Sequence, residues 1–241
     1  MMRKQGKTAK RIRRLLWHLR PPRYADNAGV RLPVAHPRIS KAIGRQICVG
    51  EYESKEVEIL SRRLAADDVV MEVGAGIGFL SAFCAGIVGD ARVHAYEANP
   101  AMIEVIRETH AANGVAPQVV NAMLGTGAGT CTFFVEPDFW ASSTVGASPQ
   151  AQRIEVPQRD LNTELRRVAP TFLVVDIEGG EAAFFAEADL AGVRKVCLET
   201  HPGVLGDAGV TRVFERLFAQ GFVLDFSLIR KNVFYFHKPC T

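Results

Sequence analysis

Val69-Val70-Met71-Glu72-Val73-Gly74-Ala75-Gly76-Ile77-Gly78 decides how the rest of the chain is read. Val69 to Val73 form a nearly continuous apolar run, which is the pattern of a strand buried on both faces. Three glycines follow at once, and their missing side chains let the backbone approach a ligand or a neighbouring segment closely. Leu80, Phe83, Cys84 and Ile87 then supply the stripe of a helix. Strand, glycine turn and helix in this order open a β-α-β unit. The alternation recurs downstream: Arg92 to Tyr96 is a second strand, Met102, Val105, Ile106 and Thr109 stripe a helix, and Gln118 to Ala122 is a third strand. Thr171 to Asp176 and Arg194 to Glu199 continue the series. Val57, Leu60 and Leu64 mark an opening helix, and Val210, Val213, Phe214 and Leu217 mark the last long one. These spacings predict an α/β fold, a mostly parallel sheet joined by right-handed crossovers with helices on both faces. Phe222 to Ile229 and Asn232 to His237 flank Arg230-Lys231, so the chain is expected to end in a hairpin whose last strand runs antiparallel.

Around this unit the 241 residues divide into two parts. Residues 1–53 are expected to be a basic amphipathic arm and lead-in, and residues 54–241 the α/β body, with an insertion at about 125–157 where Gly, Thr, Ser and aromatic residues replace the periodic pattern. With 48% apolar and 23% charged residues, the chain can bury a substantial core, which excludes disorder and fibrous classes. No apolar run approaches the about 18 residues of a membrane span, and the first residues lack a secretory pattern. The five cysteines Cys48, Cys84, Cys131, Cys197 and Cys240 are scattered and form no C-x-x-C pair, which excludes a zinc knuckle and a disulfide scaffold. A cytoplasmic protein with reduced thiols is expected. The formal charge of +3 is uneven: residues 1–23 carry nine Lys and Arg and no acid, leaving 20 bases against 26 acids elsewhere. Within the arm Ile12, Leu15, Leu16 and Leu19 form one helical stripe among Arg11, Arg13, Arg14 and Arg20. Such a helix either docks on an anionic membrane surface or nucleic acid, or lays its stripe on the protein's own body.

Parallel sheets bind ligands beyond the carboxyl ends of their strands. At the first such end, Glu72 precedes glycines spaced G-x-G-x-G, whereas a dinucleotide turn is G-x-G-x-x-G; Phe79 stands in the sixth place. An acid beside the first glycine repels a diphosphate but suits a ligand with an ammonium and a sulfonium, and S-adenosylmethionine carries both. Glu72, Gly74, Ala75, Gly76 and Gly78 are therefore candidate cofactor residues. Glu97, ending the second strand, can accept from both ribose hydroxyls. The alternative is that the glycines permit a tight turn and the acids cap helices. Asp176 and Glu178 end the fourth strand two residues apart, expected to share a face, and Glu199 and His201 end the fifth with the same spacing. Close carboxylates with an imidazole can take a hydroxyl proton or hold Mg or Mn. Asp176, Glu178 and His201 are the candidate catalytic residues, Asp176, Glu178, Glu199 and His201 the candidate metal ligands, and helix caps with solvated acids the alternative. His94 and His110 read as packing or surface histidines.

The order of these motifs resembles the class I S-adenosylmethionine-dependent methyltransferases, and within them the FkbM family. Glu72 to Gly78 is similar to their first cofactor motif, Tyr96-Glu97-Ala98-Asn99-Pro100 to the family's acid-x-Asn-Pro segment, and Asn121-Ala122 to the segment near the adenine. Asp176-Ile177-Glu178-Gly179-Gly180-Glu181 is the most specific match, to the signature D-[IV]-E-G-x-E. The resemblance covers roughly residues 55–238. It implies a Rossmann-like seven-stranded sheet of order 3-2-1-4-5-7-6, S-adenosylmethionine as donor, and O-methylation of a sugar or secondary metabolite. Asn121, Ala122 and Asp176 join the cofactor candidates through it. Leu161-Asn162 departs from the family's Leu-Asp. Phe139-Trp140-Ala141-Ser142-Ser143-Thr144 in the insertion is either part of the acceptor wall or a surface loop. A cofactor-binding scaffold without turnover is an alternative, and nucleic-acid methylation a minor one, suggested only by the basic arm and unsupported by any Asn-Pro-Pro-Tyr-like motif.

Overall fold

The computed structural model describes Trp17, residues 21–136 and residues 148–239. A hairpin of β1 (Tyr24–Asn27) and β2 (Val30–Pro33) and helix α1 (Lys41–Val49) precede the body. The body runs α2 (Ser54–Arg63), β3 (Val70–Val73), α3 (Phe79–Val88), β4 (Val93–Glu97), α4 (Ile103–Asn113) and β5 (Gln118–Asn121). There follow β6 (Met123–Gly125), β7 (Gly129–Val135), β8 (Gln152–Asp160), α5 (Leu161–Val168), β9 (Phe172–Val175) and α6 (Glu181–Glu187). The chain closes with β10 (Lys195–Glu199), α7 (Pro202–Ala219), β11 (Val223–Leu224) and β12 (Val233–His237).

The central sheet has seven strands in the order β11-β12-β10-β9-β3-β4-β5. Counted by these strands alone, that is the expected 3-2-1-4-5-7-6 read from the other edge. β12 is antiparallel to both of its neighbours, and the other pairings are parallel. Every residue of β3 and β9 is buried, as their apolar runs require of central strands. Alternation sorts these residues into two layers. Val70, Phe172 and Val174 face the layer containing Leu60, Phe79 and Ile106, while Met71, Val73, Leu173 and Val175 face Leu165, Phe185 and Leu217. Helices therefore cover both faces. Val73 pairs with Tyr96 on one side and Val175 on the other, so β3, β4 and β9 finish level and deliver Gly74, Glu97 and Asp176 to one edge.

The lead-in contains structure that its periodicity did not reveal. Val30, Leu32, Ile43 and Ile47 belong to the same core layer as Phe79. The hairpin turns at Ala28 (φ 49°) and Gly29 (φ 86°), both left-handed, as a two-residue turn between right-twisted strands demands. Alanine in the first of these places, where asparagine or aspartate is usual, concealed the turn. Trp17 packs over Gly44 of α1, where a Cβ would lie 2.5 Å from the indole. The stripe residues Ile12, Leu15, Leu16 and Leu19, and the arm's arginines, lie outside the described residues.

The insertion forms a separate three-stranded sheet, β6-β8-β7, in which β7 and β8 pair antiparallel. β8 runs as far as Asp160, whose carboxylate accepts from the Thr163 amide at 2.8 Å and so caps α5. Phe139 to Thr144 lie outside the described residues. The strand expected over Phe222 to Ile229 contracts to Val223–Leu224, because the Asp225 carboxylate accepts from the Ser227 amide and hydroxyl and winds Phe226–Leu228 into a 3-10 turn. Among the described residues no helix is long and apolar enough to cross a membrane.

Because the hairpin shares the core of the body, Leu32→Ala is expected to cost about 2–5 kcal/mol and to lower a single unfolding transition of the whole chain. A separate early transition in a denaturant titration would show instead that the hairpin melts alone.

Candidate active site

The backbone of the glycine turn is bound internally. Gly74 and Ala75 amides donate to the Tyr96 carbonyl at 3.0 and 3.1 Å, and the Gly78 amide to the Ala75 carbonyl at 2.8 Å. The Gly76 amide donates to the Glu97 carboxylate at 2.8 Å. A diphosphate on such a turn needs free amides, and these four are spent. Gly74 has φ 90°, and a Cβ there would fall 1.7 Å from the Asp176 carbonyl oxygen. Gly78 lets the turn lie on α4, where a Cβ would meet Ile106 at 3.0 Å and the His110 ring at 3.1 Å. His110 and the Ser81 hydroxyl lie 3.0 Å apart, and His94 bonds Gln118 at 2.7 Å, so both histidines act in packing and at the surface.

Above the turn opens a cavity of about 410 Å³. Of the residues expected to form a site, Gly74, Gly76, Glu97, Ala122, Asp176 and Glu178 line it. Glu97 uses one carboxylate oxygen for Gly76 and the other for the Asn99 amide at 2.7 Å. Each oxygen keeps a further acceptor position for a ligand hydroxyl. Burial raises Glu97 to about 7 against the restraint of those two bonds. Asn121 acts on the backbone instead, donating to the carbonyls of Glu97 and Ala98 at 2.8 and 3.1 Å. Ala75 and Gly78 likewise shape the turn from outside the cavity wall.

Glu72 is placed differently from the expectation that it meets the ligand. It shares a pleat face with Val70, away from Met71 and Val73, so its carboxyl lies beneath the turn against Ser81 of α3. It is buried, its Oε2 has no hydrogen-bond partner among the described residues, and burial raises it to about 8, with Ser81 opposing.

The second acidic group also assembles in another way than by alternation on a strand. β9 stops at Val175, and Glu178 (φ 35°) and Gly179 (φ 90°) curl the chain back through left-handed backbone. His201, capping α7, faces this curl. Its Nε2 lies 3.3 Å from Glu178 and 3.6 Å from Asp176, and its Nδ1 donates to Glu181 at 2.5 Å. Burial lowers the imidazole's basicity, but the hydrogen bonds to Glu178 and Glu181 and the charge of Asp176 overcome it and raise His201 to about 11. At neutral pH it is an imidazolium. Asp176 is raised well above the ordinary range by burial and by Glu199, with His201 opposing.

Asp176, Glu199 and His201 can each bring one ligand atom within 4.8 Å of the others, whereas Glu178 is outside that set. Glu199 already accepts from the Asn232 amide at 2.6 Å and lies 3.9 Å from Lys55. Both nitrogens of His201 face carboxylates, so a metal could bind here only after displacing the imidazole's proton. The imidazolium is the cation of the cluster.

Several wall residues escaped the sequence. Tyr52 and Glu53 enter from the end of the lead-in, Phe133 and Gln158 from the insertion, and Phe184 from α6. Fully buried Glu181 was visible only as the last acid of Asp176-Ile177-Glu178-Gly179-Gly180-Glu181.

The raised acids set the pH dependence of stability. Glu72 at about 8 and Glu97 at about 7 stand above their ordinary 4.5, so between those values the folded chain holds protons that the unfolded chain releases. Stability then falls as pH rises through this window. His201 acts in the same direction, from 6.5 up to about 11. Urea titrations at about pH 5 and about pH 8 are expected to give the lower midpoint at the higher pH, and Glu72→Gln should flatten the difference. An equal slope in that variant would remove Glu72 from the effect.

Over residues 72–224 the sequence matches the Methyltransferase FkbM domain. No curated protein matches the chain. Among solved structures, the ribosomal protein L11 methylase of Lactobacillus delbrueckii subsp. bulgaricus is similar at 12% identity, with 79% of this chain and 80% of that one covered and a TM-score of 0.49. A putative O-methyltransferase from Klebsiella pneumoniae is similar at 12% identity over 98% of this chain and 92% of that one, with a TM-score of 0.45. Precorrin-6y C5,15-methyltransferase from Geobacter metallireducens GS-15 is similar at 17% identity over 76% and 85%, with a TM-score of 0.41. The domain match spans more than half of the sequence, and the protein belongs to the FkbM family of S-adenosylmethionine-dependent methyltransferases.

Proposed function

We propose that this protein transfers the methyl group of S-adenosylmethionine to a hydroxyl of a small acceptor, a sugar or a secondary metabolite. The observation that carries the proposal is the glycine turn itself: four of its amides are spent on Tyr96, Ala75 and Glu97, and the carboxyls of Glu53, Glu97, Asp176 and Glu178 line the cavity above it. Such a lining attracts a cation and repels a diphosphate. Glu97 would hold the ribose hydroxyls, Ala122 would lie beside the adenine, and Gly74 and Gly76 would give the backbone its close approach. The donor supplies a methyl group already activated by positive sulfur, so much of the remaining work is positioning.

What the chain must add is a place for the acceptor's proton. Asp176 lines the cavity, and its raised basicity suits a carboxylate that takes a proton from a hydroxyl. His201, as an imidazolium bonded to Glu178 and Glu181, is unfit as a base and instead orients the acids beside the acceptor. Phe133, Phe184 and Gln158 offer aromatic faces and an amide, which suit a ring bearing hydroxyls. Among the described residues no Lys or Arg lines the cavity, which disfavours a phosphate-rich acceptor such as nucleic acid. Buried thiols at Cys84 and Cys197 suit work in the reducing cytoplasm. A scaffold that binds the donor without turnover would bind S-adenosylhomocysteine yet form no product across an acceptor screen.

Asp176→Asn is expected to lower turnover by about 10²–10⁴-fold while leaving S-adenosylhomocysteine affinity nearly unchanged, and the wild-type rate should fall as acid protonates Asp176. An unchanged turnover number would exclude Asp176 as the base. Because His201 already supplies the local cation, activity should survive dialysis against EDTA. Loss of activity restored by Mn or Mg would assign Asp176, Glu199 and His201 to a metal instead.

A further inference from the structure

Tyr52 and Glu53 line the cavity although they lie before the matched residues 72–224. Glu53 adopts φ 45°, ψ 30°, a left-handed conformation costly for any residue with a Cβ. Such a conformation persists only where its surroundings over-determine it, and here they do. The buried Asn27 side chain donates to the Tyr52 carbonyl at 2.8 Å. The Glu51 and Tyr52 amides donate to the Gln46 carbonyl at 2.9 and 3.4 Å, and the Tyr52 ring lies 6.0 Å from that of Phe79. On the other side the Val57 amide donates to the Glu53 carbonyl at 3.1 Å, starting α2. Hairpin, α1 and α2 thus converge on one residue.

Glu53 is delivered among carboxyls. Burial raises it well above the ordinary range, and Glu56, Asp176 and Glu72 raise it further. The nearby cations are already engaged: Lys55 with Glu199 and Asn232, and His201 with Glu178 and Glu181. Glu53 therefore brings a cation-seeking carboxyl to the cavity wall.

We propose that Glu53, held by the β1–β2 hairpin and α1, binds the ammonium group at the amino-acid end of S-adenosylmethionine. This rests on the donor assignment made above. The lead-in is then a working part of the donor site.

The test compares two nucleosides by calorimetric titration of the full chain: S-adenosylhomocysteine, which has the ammonium, and 5′-methylthioadenosine, which lacks the amino-acid end. Glu53→Gln is expected to weaken the first roughly tenfold and leave the second unchanged. Its thermal midpoint should hold or rise, since a partly buried acid among other carboxyls is removed, whereas a merely structural Glu53 would lose stability and both affinities together. Should that variant fail to fold, Asn27→Ala, which releases the Tyr52 carbonyl, is expected to show the same selective loss. Equal weakening of both nucleosides, or of neither, in a folded variant overturns the role of Glu53. Failure of the wild-type chain to bind either nucleoside overturns the donor assignment itself, and this proposal with it.

Discussion

At Gly74 the space in which a side chain would begin is taken by the carbonyl of Asp176, 1.7 Å from where a Cβ would stand. The tips of β3 and β9 can meet only because that atom is missing. Their closeness puts the turn after β3 against the acids after β9, while the matched register of β4 brings Glu97 to the same level. The remaining geometry of the site follows from this contact. Gly74 and Ala75 reach across to Tyr96, Gly76 to Glu97, and the turn becomes a rigid floor with few donors to offer. An anion has little to bind there.

The floor is surrounded by more carboxyls than cations can neutralise. Burial holds protons on Glu72 and Glu97 beyond the ordinary carboxylate range, and His201 keeps its own proton because Glu178 and Glu181 grip both nitrogens. Accumulating acids in this way opposes folding at neutral pH. A cationic ligand reverses part of that cost, so occupancy and stability are linked through the same side chains. The chain resembles other functional sites in keeping its least favourable electrostatics where a ligand completes them.

The central strands were legible because β3 and β9 are buried on both faces, which leaves a continuous apolar run that no surface strand needs. The strand order was legible through the family resemblance of the motifs at strand ends. Other features depend on contacts distant in sequence. Ala28 accepts a left-handed turn that its residue type does not announce, and Glu53 owes its position to Asn27, 25 residues before the carbonyl that Asn27 holds. The acids Asp176 and Glu178 both face His201, but the strand ends at Val175, before either of them, so alternation does not join them. The spacing that made His201 a candidate did not show Glu181, 20 residues away, on its other nitrogen. Spacing identifies which groups converge more readily than which protons they carry.

β5 ends at Asn121 and β6 begins at Met123, so a single residue, Ala122, separates the main sheet from the sheet of the insertion. Ala122 itself lines the cavity. The insertion is therefore not a detachable module: its first strand is joined to the main sheet through a residue of the cavity wall. An exchange of residues 123–160 for a relative's segment would pull on the Ala122 peptide, so that under the proposed function a change on the acceptor side would be mechanically tied to the donor side of the same cavity.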